Sequence, residues 1–384
     1  MRKYKLRELL TIKNGCDYRH LSTGSVPVYG SGGFMCFVNQ AMSNKPSILL
    51  PRKGTLNNIM FIDKPFWTVD TMYWSEIKED IVEPYYLYNY LKVLKFDGIR
   101  TGSTLPSMTS SAYYDIPVIL PDYNKQTRVA NILKLLNNKI ELNNKINQEL
   151  EQMAKTLYEY WFVQFDFPDE KGRPYKSANG KMVYNEVLKR EIPEGWEVKS
   201  LYDIATYING LACQKFRPTD RNSYNVIKIK ELHTGFNEET EKVRKNIPTK
   251  YIVNDGDILF SWSATLEVHM WTEGQGVLNQ HIFNVRSKEY PKSFCYYILN
   301  EYVKVFKKIA ETRKTTMGHI TIDHLKQAYV LVPPLDLINA LDNKIKPIFD
   351  SIITHRKEQQ SLANIRDFLL PLLMNGQVTV SPEC

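Results

Sequence analysis

The chain has 384 residues, enough for two or three domains of ordinary size. Its 43% hydrophobic and 24% charged residues are those of a folded protein and exclude a low-complexity or disordered chain. The net charge of +8 suits a polyanionic partner, although many unrelated enzymes carry as much.

The 24 Tyr, 16 Phe and 6 Trp are rings suited either to base- or protein-binding surfaces or to Tyr-rich strands. Cys16, Cys36, Cys213, Cys295 and Cys384 are scattered, without the spacing of a metal knuckle or redox pair, and point to a reducing compartment. MRKYKLRELL at 1–10 lacks the apolar core of a signal peptide. No stretch approaches the roughly 18 apolar residues of a membrane span. A cytoplasmic protein with no membrane partner is expected.

In chain order, VPVYGSGGF at 26–34 reads as short strands joined by a hairpin, and the Tyr-rich block at 84–96 as a helix packed on them. A long stretch at 126–162, free of Gly and Pro, reads as one helix. After a polar linker the order recurs: strands around VNDGDILFSW at 253–262, a Tyr-rich helix at 291–309, and a second long helix from about residue 336.

This recurrence is an internal repeat. LLTIKNG at 9–15 answers IATYING at 204–210, and ILLPRKGTL at 48–56 answers ILFSWSATL at 258–266. PYYLYNYL at 84–91 answers KSFCYYIL at 292–299, and DIPVILP at 115–121 answers QAYVLVP at 327–333. The offset rises from 195 to 210 between the first two blocks, so the second half carries an insertion within 211–257. Insertions sit in surface loops, which commonly carry function. Each half is expected to be a mixed α+β globule, partly antiparallel.

The long helices show heptad-like seams. Leu136, Ile140 and Leu150 in the first, and Ile348, Ile352 and Leu362 in the second, are apolar members. Both seams turn polar at their middle, with Asn143 and Asn147 answering His355 and Gln359. An antiparallel pair would bring these polar layers together, which costs stability and sets register. Pro347 predicts a kink or a fresh start in the second helix. About 36 residues of helix span roughly 54 Å, one to two turns of duplex DNA.

Globule, long helix, globule, long helix resembles the type I restriction-modification specificity subunit, over nearly the whole chain. The carrying segments are VPVYGSGG at 26–33, WFVQFDFP at 161–168, KGRPYKS at 171–177, REIPEGWE at 190–197, GDILFSWSAT at 256–265 and LLPLLMNGQV at 369–378. The resemblance implies two α/β target-recognition globules, separated by two long antiparallel helices that form a coiled-coil-like spacer with pseudo-two-fold symmetry. It implies recognition domains at 1–125 and 196–335, spacer helices at 126–163 and 336–376, a linker at 164–195 and a tail at 377–384. Each globule would read one half of a bipartite, asymmetric site on double-stranded DNA. The helices would fix the gap and dock two copies of a methyltransferase subunit, and a separate motor-nuclease subunit would complete the enzyme. The sequence departs from the family pattern at Ala264, where Gly is frequent.

The residues offer no catalytic constellation. Pro333-Pro334 lacks the Asn of an amine methyltransferase loop, and there is no phosphate loop. Asp255-Gly256-Asp257 reads first as a hairpin turn and Pro168-Asp169-Glu170-Lys171 as a turn, and the seven His show no zinc-ligand spacing. No cofactor or metal is expected. Lys and Arg on phosphates supply affinity, while Arg, Asn and Gln at base edges supply specificity. The DNA-binding candidates in the first half are Tyr29, Ser31, Arg52, Lys53, Asn57, Asn58, Arg100, Ser103 and Thr104. Those in the second are Lys215, Arg217, Lys228, Lys230, Trp262, Ser263, Thr265, Arg313, Lys314, Thr316 and His319. A nuclease or methyltransferase with an unrecognised site, a protein-binding scaffold and an RNA-binding module are the competing readings.

Overall fold

The computed structural model describes residues 1–94, 107–219, 222–263, 265–312 and 319–381. The chain divides into two compact units, Met1–Ile140 with Ser361–Cys384, and Glu141–Gln360.

The strands of the first unit are β1 (Arg2–Lys5), β2 (Leu10–Asn14), β3 (Val26–Gly30), β4 (Gly33–Val38), β5 (Ser47–Pro51), β6 (Met60–Ile62), β7 (Trp67–Thr68), β8 (Met72–Ile77) and β9 (Pro117–Leu120). Its helices include α1 (Leu6–Leu9), α2 (Pro84–Val93), α3 (Ser110–Tyr114), half of α4 (Tyr123–Tyr158) and, from Ser361, the end of α9 (Leu335–Met374). An antiparallel sheet runs in the order β2-β8-β5-β6, and a smaller one in the order β4-β3-β7. All of β5 is buried, which explains its unbroken apolar run. Pro84 at the first helical position, and Glu83 accepting the Tyr86 N–H at 2.6 Å, start α2. The core joins Leu50, Tyr86, Leu87, Leu91 and Leu120 to Val129, Ala130 and Leu133 of α4 and to Leu373 and Met374.

The second unit has β10 (Met182–Asn185), β11 (Arg190–Pro193), β12 (Glu197–Ser200), β13 (Thr206–Asn209), β14 (Ser223–Ile227), β15 (Lys242–Arg244), β16 (Ile252–Val253), β17 (Ile258–Ser261), β18 (Glu267–Met270), β19 (Gly276–Leu278), β20 (Ile282–Arg286) and β21 (Tyr329–Val332). Its helices include α5 (Leu201–Ile204), α6 (Ile229–Thr234), α7 (Lys292–Thr312), α8 (Ile322–Gln327) and most of α9 (Leu335–Met374). The sheet β13-β20-β17-β18 reproduces the order of β2-β8-β5-β6.

The repeat extends to register. Pro51 pairs with Met72 and Ser261 with Ile282; Asn14 pairs with Tyr73 and Asn209 with Phe283. The parallel pair β3·β7 likewise matches β14·β19. The repeated glycines have a steric cause. A Cβ on Gly15 would lie 2.1 Å from the Val69 carbonyl oxygen, and one on Gly210 would lie 2.2 Å from that of Asn279. Alanine at either position is expected to cost about 1–3 kcal/mol through backbone displacement, read as a lower midpoint in chemical denaturation.

The long helices meet along their seams within each unit. In the first, the Arg366 guanidinium donates to Asn137 Oδ1 at 2.9 Å, and Leu136, Ile140 and Leu362 are half-buried. In the second, Ile348 and Ile352 are buried and Leu150 packs beside them. There Asn143 Nδ2 donates to Glu358 Oε2 at 2.7 Å, Gln359 Nε2 donates to Asn144 Oδ1 at 2.9 Å, and His355 Nδ1 lies 2.9 Å from Asn147 Oδ1. From Asn143 to Asn147 of α4 the partner falls from Glu358 to His355 of α9, so the segments are antiparallel. Asn143 Oδ1 and Asn147 Nδ2 are buried without partners among the described residues, the kind of cost that polar seam positions bear.

Of the kink or fresh start expected at Pro347 the fresh start does not occur, for α9 runs through it, and α4 ends in a turn that the sequence did not show. Ile345, Ile348, Phe349 and Ile352 enter one core on both sides of the proline, and their burial offsets the lost backbone bond. α4 ends in a π-turn at Glu159–Val163, where the Gln164 N–H donates to the Glu159 carbonyl at 2.8 Å. The wider turn lets the adjacent Trp161 and Phe162 both enter the core.

Candidate nucleic-acid interface

The chain leaving the end of β5 and of β17 has the same backbone frame in both units. The Arg52 N–H donates to the Thr71 carbonyl at 2.8 Å, and the Met108 N–H donates to the Arg52 carbonyl at 3.0 Å. In the second unit the Trp262 N–H donates to the His281 carbonyl at 3.3 Å, and the Ile320 N–H donates to the Trp262 carbonyl at 3.0 Å. Arg52 and Trp262 therefore hold the same position. Each lies on an aromatic ring at another repeated position: the Arg52 guanidinium is 5.8 Å from the Tyr73 ring, and the Trp262 ring is 5.7 Å from that of Phe283. The frame is shared and the side chain differs, a cation in one unit and an indole in the other.

In the first unit Ser31 and Arg52 are joined through Thr71, while Tyr29 is half-buried against the cluster of Leu49, Phe66 and Met72. Ser31 lies at the tip of the β3–β4 hairpin, its N–H on Thr71 Oγ1 at 3.3 Å and its carbonyl accepting Asn58 Nδ2 at 2.9 Å. The Asn58 amide donor thus braces the tip. Lys53 and Asn57 are exposed. Gly54 has φ +87°, and a Cβ there would stand 3.1 Å from Ser31 Oγ, so the loop needs glycine to pass the tip. Beside it β4 exposes Phe34, Met35 and Phe37.

Around Trp262 the second unit gathers His319, at 5.8 Å between ring centroids, His281 at 5.9 Å, and Asn209, whose Oδ1 accepts the indole N–H at 3.1 Å. Thr265 is exposed, whereas Ser263 is buried and turned into the protein. The hairpin tip is enlarged here. β15 pairs with β14 as β4 does with β3, but α6 and a longer connection at 228–241 replace the glycine turn. Lys228 and Lys230 begin that connection and are paired within it, to Glu241 at 2.5 Å and Glu239 at 3.5 Å. Lys215 and Arg217 are exposed on a separate turn. Arg100, Ser103, Thr104, Arg313, Lys314 and Thr316, with Ala264, lie outside the described residues.

Thr71, Tyr73, Asn209, His281 and Phe283 were not singled out in the sequence. Their signal is the repeat, whose 210 offset carries Thr71 to His281 and Tyr73 to Phe283 and whose 195 offset carries Asn14 to Asn209.

The acidic pairs are structural. Asp255 Oδ1 accepts the Gly274 N–H at 2.7 Å, while Asp257 Oδ1 meets Lys292 Nζ at 2.9 Å, so the two carboxylates serve different partners. Asp169 Oδ1 caps its own turn at the Lys171 and Arg173 N–H groups. Burial pushes the Cys213 and Cys295 thiols up to about 11 and about 12, away from nucleophilic thiolate. His233 of α6 comes together with Glu267 and His269 of β18 in the second unit, although the histidines have no ligand spacing along the chain. Among the described residues no helix is long and apolar enough to cross a membrane.

Residues 1–152 and 193–364 match the family model for the type I restriction modification DNA specificity domain. The chain is 26% identical to the type I restriction enzyme MjaIX specificity subunit of Methanocaldococcus jannaschii, over 88% of this chain and 78% of that one. It is 24% identical to the HindI specificity subunit of Haemophilus influenzae, over 79% of each. Its fold is similar to the crystal structure of a type I restriction-modification S subunit from M. genitalium, with TM-score 0.65, 15% identity, and coverage of 97% of this chain and 95% of that one. Both repeats fall within the matched family segments: the chain belongs to the type I restriction-modification DNA specificity family, as a specificity subunit acting in recognition of the DNA target.

Proposed function

We propose that each unit reads one half of a bipartite, asymmetric site on duplex DNA, and that the chain itself catalyses nothing. Methylation and cleavage then belong to partners: two copies of a methyltransferase subunit docked along the helices, and a motor-nuclease subunit. The recognition domains are 1–125 and 196–335, the helices 126–163 and 336–376 set the unspecified gap, and the complex works in the cytoplasm. The observation that carries this reading is the pair Arg52 and Trp262, two chemistries in one backbone frame. A duplicated frame suits two similar half-sites, and different side chains suit different bases. Lys53, Arg100, Arg313 and Lys314 would supply phosphate contacts.

The test is methylation mapping. The chain is expressed with its methyltransferase subunit in a host free of methylation, and modified bases are mapped across the genome. A bipartite motif with a fixed gap, absent when the chain is omitted, is expected. No new methylation from a well-formed complex would favour a protein-binding scaffold or an RNA-binding module.

A further inference from the structure

We infer that His233, Glu267 and His269 form a binding site for a divalent transition-metal ion of the zinc type, with three protein ligands and one position left for water or a ligand. Glu267 and His269 are two residues apart on β18 and so share one face of the strand. His233 stands in the last turn of α6, within the connection that enlarges the hairpin tip. Glu267 Oε2 lies 3.2 Å from His233 Nε2 and 3.0 Å from His269 Nε2, and the ligand atoms of all three residues fall within 4.8 Å of one another. Bonds of about 2.0–2.1 Å around a tetrahedral ion put ligand atoms about 3.3 Å apart. Two of the three separations are already close to that value. Two imidazoles with one carboxylate suit zinc, copper or nickel, and not calcium or magnesium, which take oxygen ligands.

The rings of His233 and His269 are 5.2 Å apart at 89°, an orientation in which both Nε2 atoms converge on one carboxylate oxygen. Without metal, His269 Nε2 is hydrogen-bonded to Glu267 Oε2 and His233 Nε2 stands 3.2 Å from the same oxygen. His233 and His269 border a groove of about 790 Å³ that also touches Trp271, Tyr297 and Glu301, so an ion has access from solvent. Among the described residues the first unit has no counterpart: β6 is Met60–Ile62, and no helix like α6 stands at its hairpin tip. The ion would pin the enlarged tip to the edge strand of the sheet. This inference stands whether or not the DNA reading holds.

The test titrates the chelator-stripped full chain with Zn²⁺ by calorimetry and follows Co²⁺ by its visible absorption. One equivalent of Zn²⁺ per chain is expected, with a tetrahedral Co²⁺ spectrum, a raised melting temperature in Zn²⁺, and no competition from excess Mg²⁺. His233→Gln and His269→Gln should each weaken binding by more than the 10–100-fold typical of losing an outer-shell partner. His233 is half-exposed, so its variant should melt like the metal-free parent and report on the site alone. No saturable binding, binding unchanged in both variants, or displacement by Mg²⁺ would overturn the site.

Discussion

Replacing Arg52 with alanine is expected to relax base preference in one half of the methylated motif and leave the other half unchanged. Its backbone is held from both sides, by the Thr71 carbonyl and the Met108 N–H, so truncation removes the guanidinium and keeps the loop. An Arg that reads a guanine edge bidentately contributes about 1–3 kcal/mol of discrimination, a factor of about 5 to 150. Trp262→Ala should affect only the other half. Lys53→Ala, at an exposed phosphate-type position, should instead weaken binding evenly across sequences and reduce the salt slope by about one. Methylation mapping of each variant reads the first two effects, and salt-dependent binding the third. Loss of both half-sites together in Arg52→Ala would refute one-unit-one-half recognition.

The second large effect is on stability. Trp196→Ala is expected to destabilise the second unit by about 3–5 kcal/mol. Trp196 is buried, and its ring centroid lies 5.7 Å from Phe162, 5.4 Å from Phe165 and 5.4 Å from Phe167, with the last pair stacked. Edge-to-face and offset contacts of this kind add about 0.5–1.5 kcal/mol each beyond area burial. Phe167 in turn stacks on Tyr175 at 4.6 Å. The segments around 161–168, 171–177 and 190–197 are therefore one aromatic knot that closes the linker onto the end of α4. The variant should show an earlier thermal transition with the first unit's transition in place. An unshifted melting profile would remove the knot from the list of what holds this unit together.

Much of the architecture was legible in the residues. Repetition is a property of order and spacing, so the 195 and 210 offsets already named the strands that became β2 and β13, and β5 and β17. Seam periodicity named Asn143, Asn147, His355 and Gln359, because a 3.5-residue repeat fixes which face of a helix a side chain occupies. Local Asp and Gly chemistry marked turns at 168–171 and 255–257, but the second is not the expected hairpin, because β16 and β17, which it joins, belong to different sheets.

Other features needed the tertiary structure, because they depend on which distant segments touch. The 210 offset already set Arg52 opposite Trp262, but the backbone bonds to residues 71 and 281 and the rings 73 and 283 that frame them are visible only in the structure. Ser263 resembled an accessible loop hydroxyl until the fold buried it. Asn58 looked like a base reader, yet its amide donor holds the hairpin tip. The continuity of α9 through Pro347 is decided by core burial that outweighs a local backbone preference. His233 and His269 have no ligand spacing along the chain, since a sheet edge and an inserted helix bring them together in space. The sequence by itself determined the repeat, the helices and their polar seam, because these are written in periodicity. Tertiary structure alone decided which polar groups face outward and which brace the fold, because that depends on long-range packing.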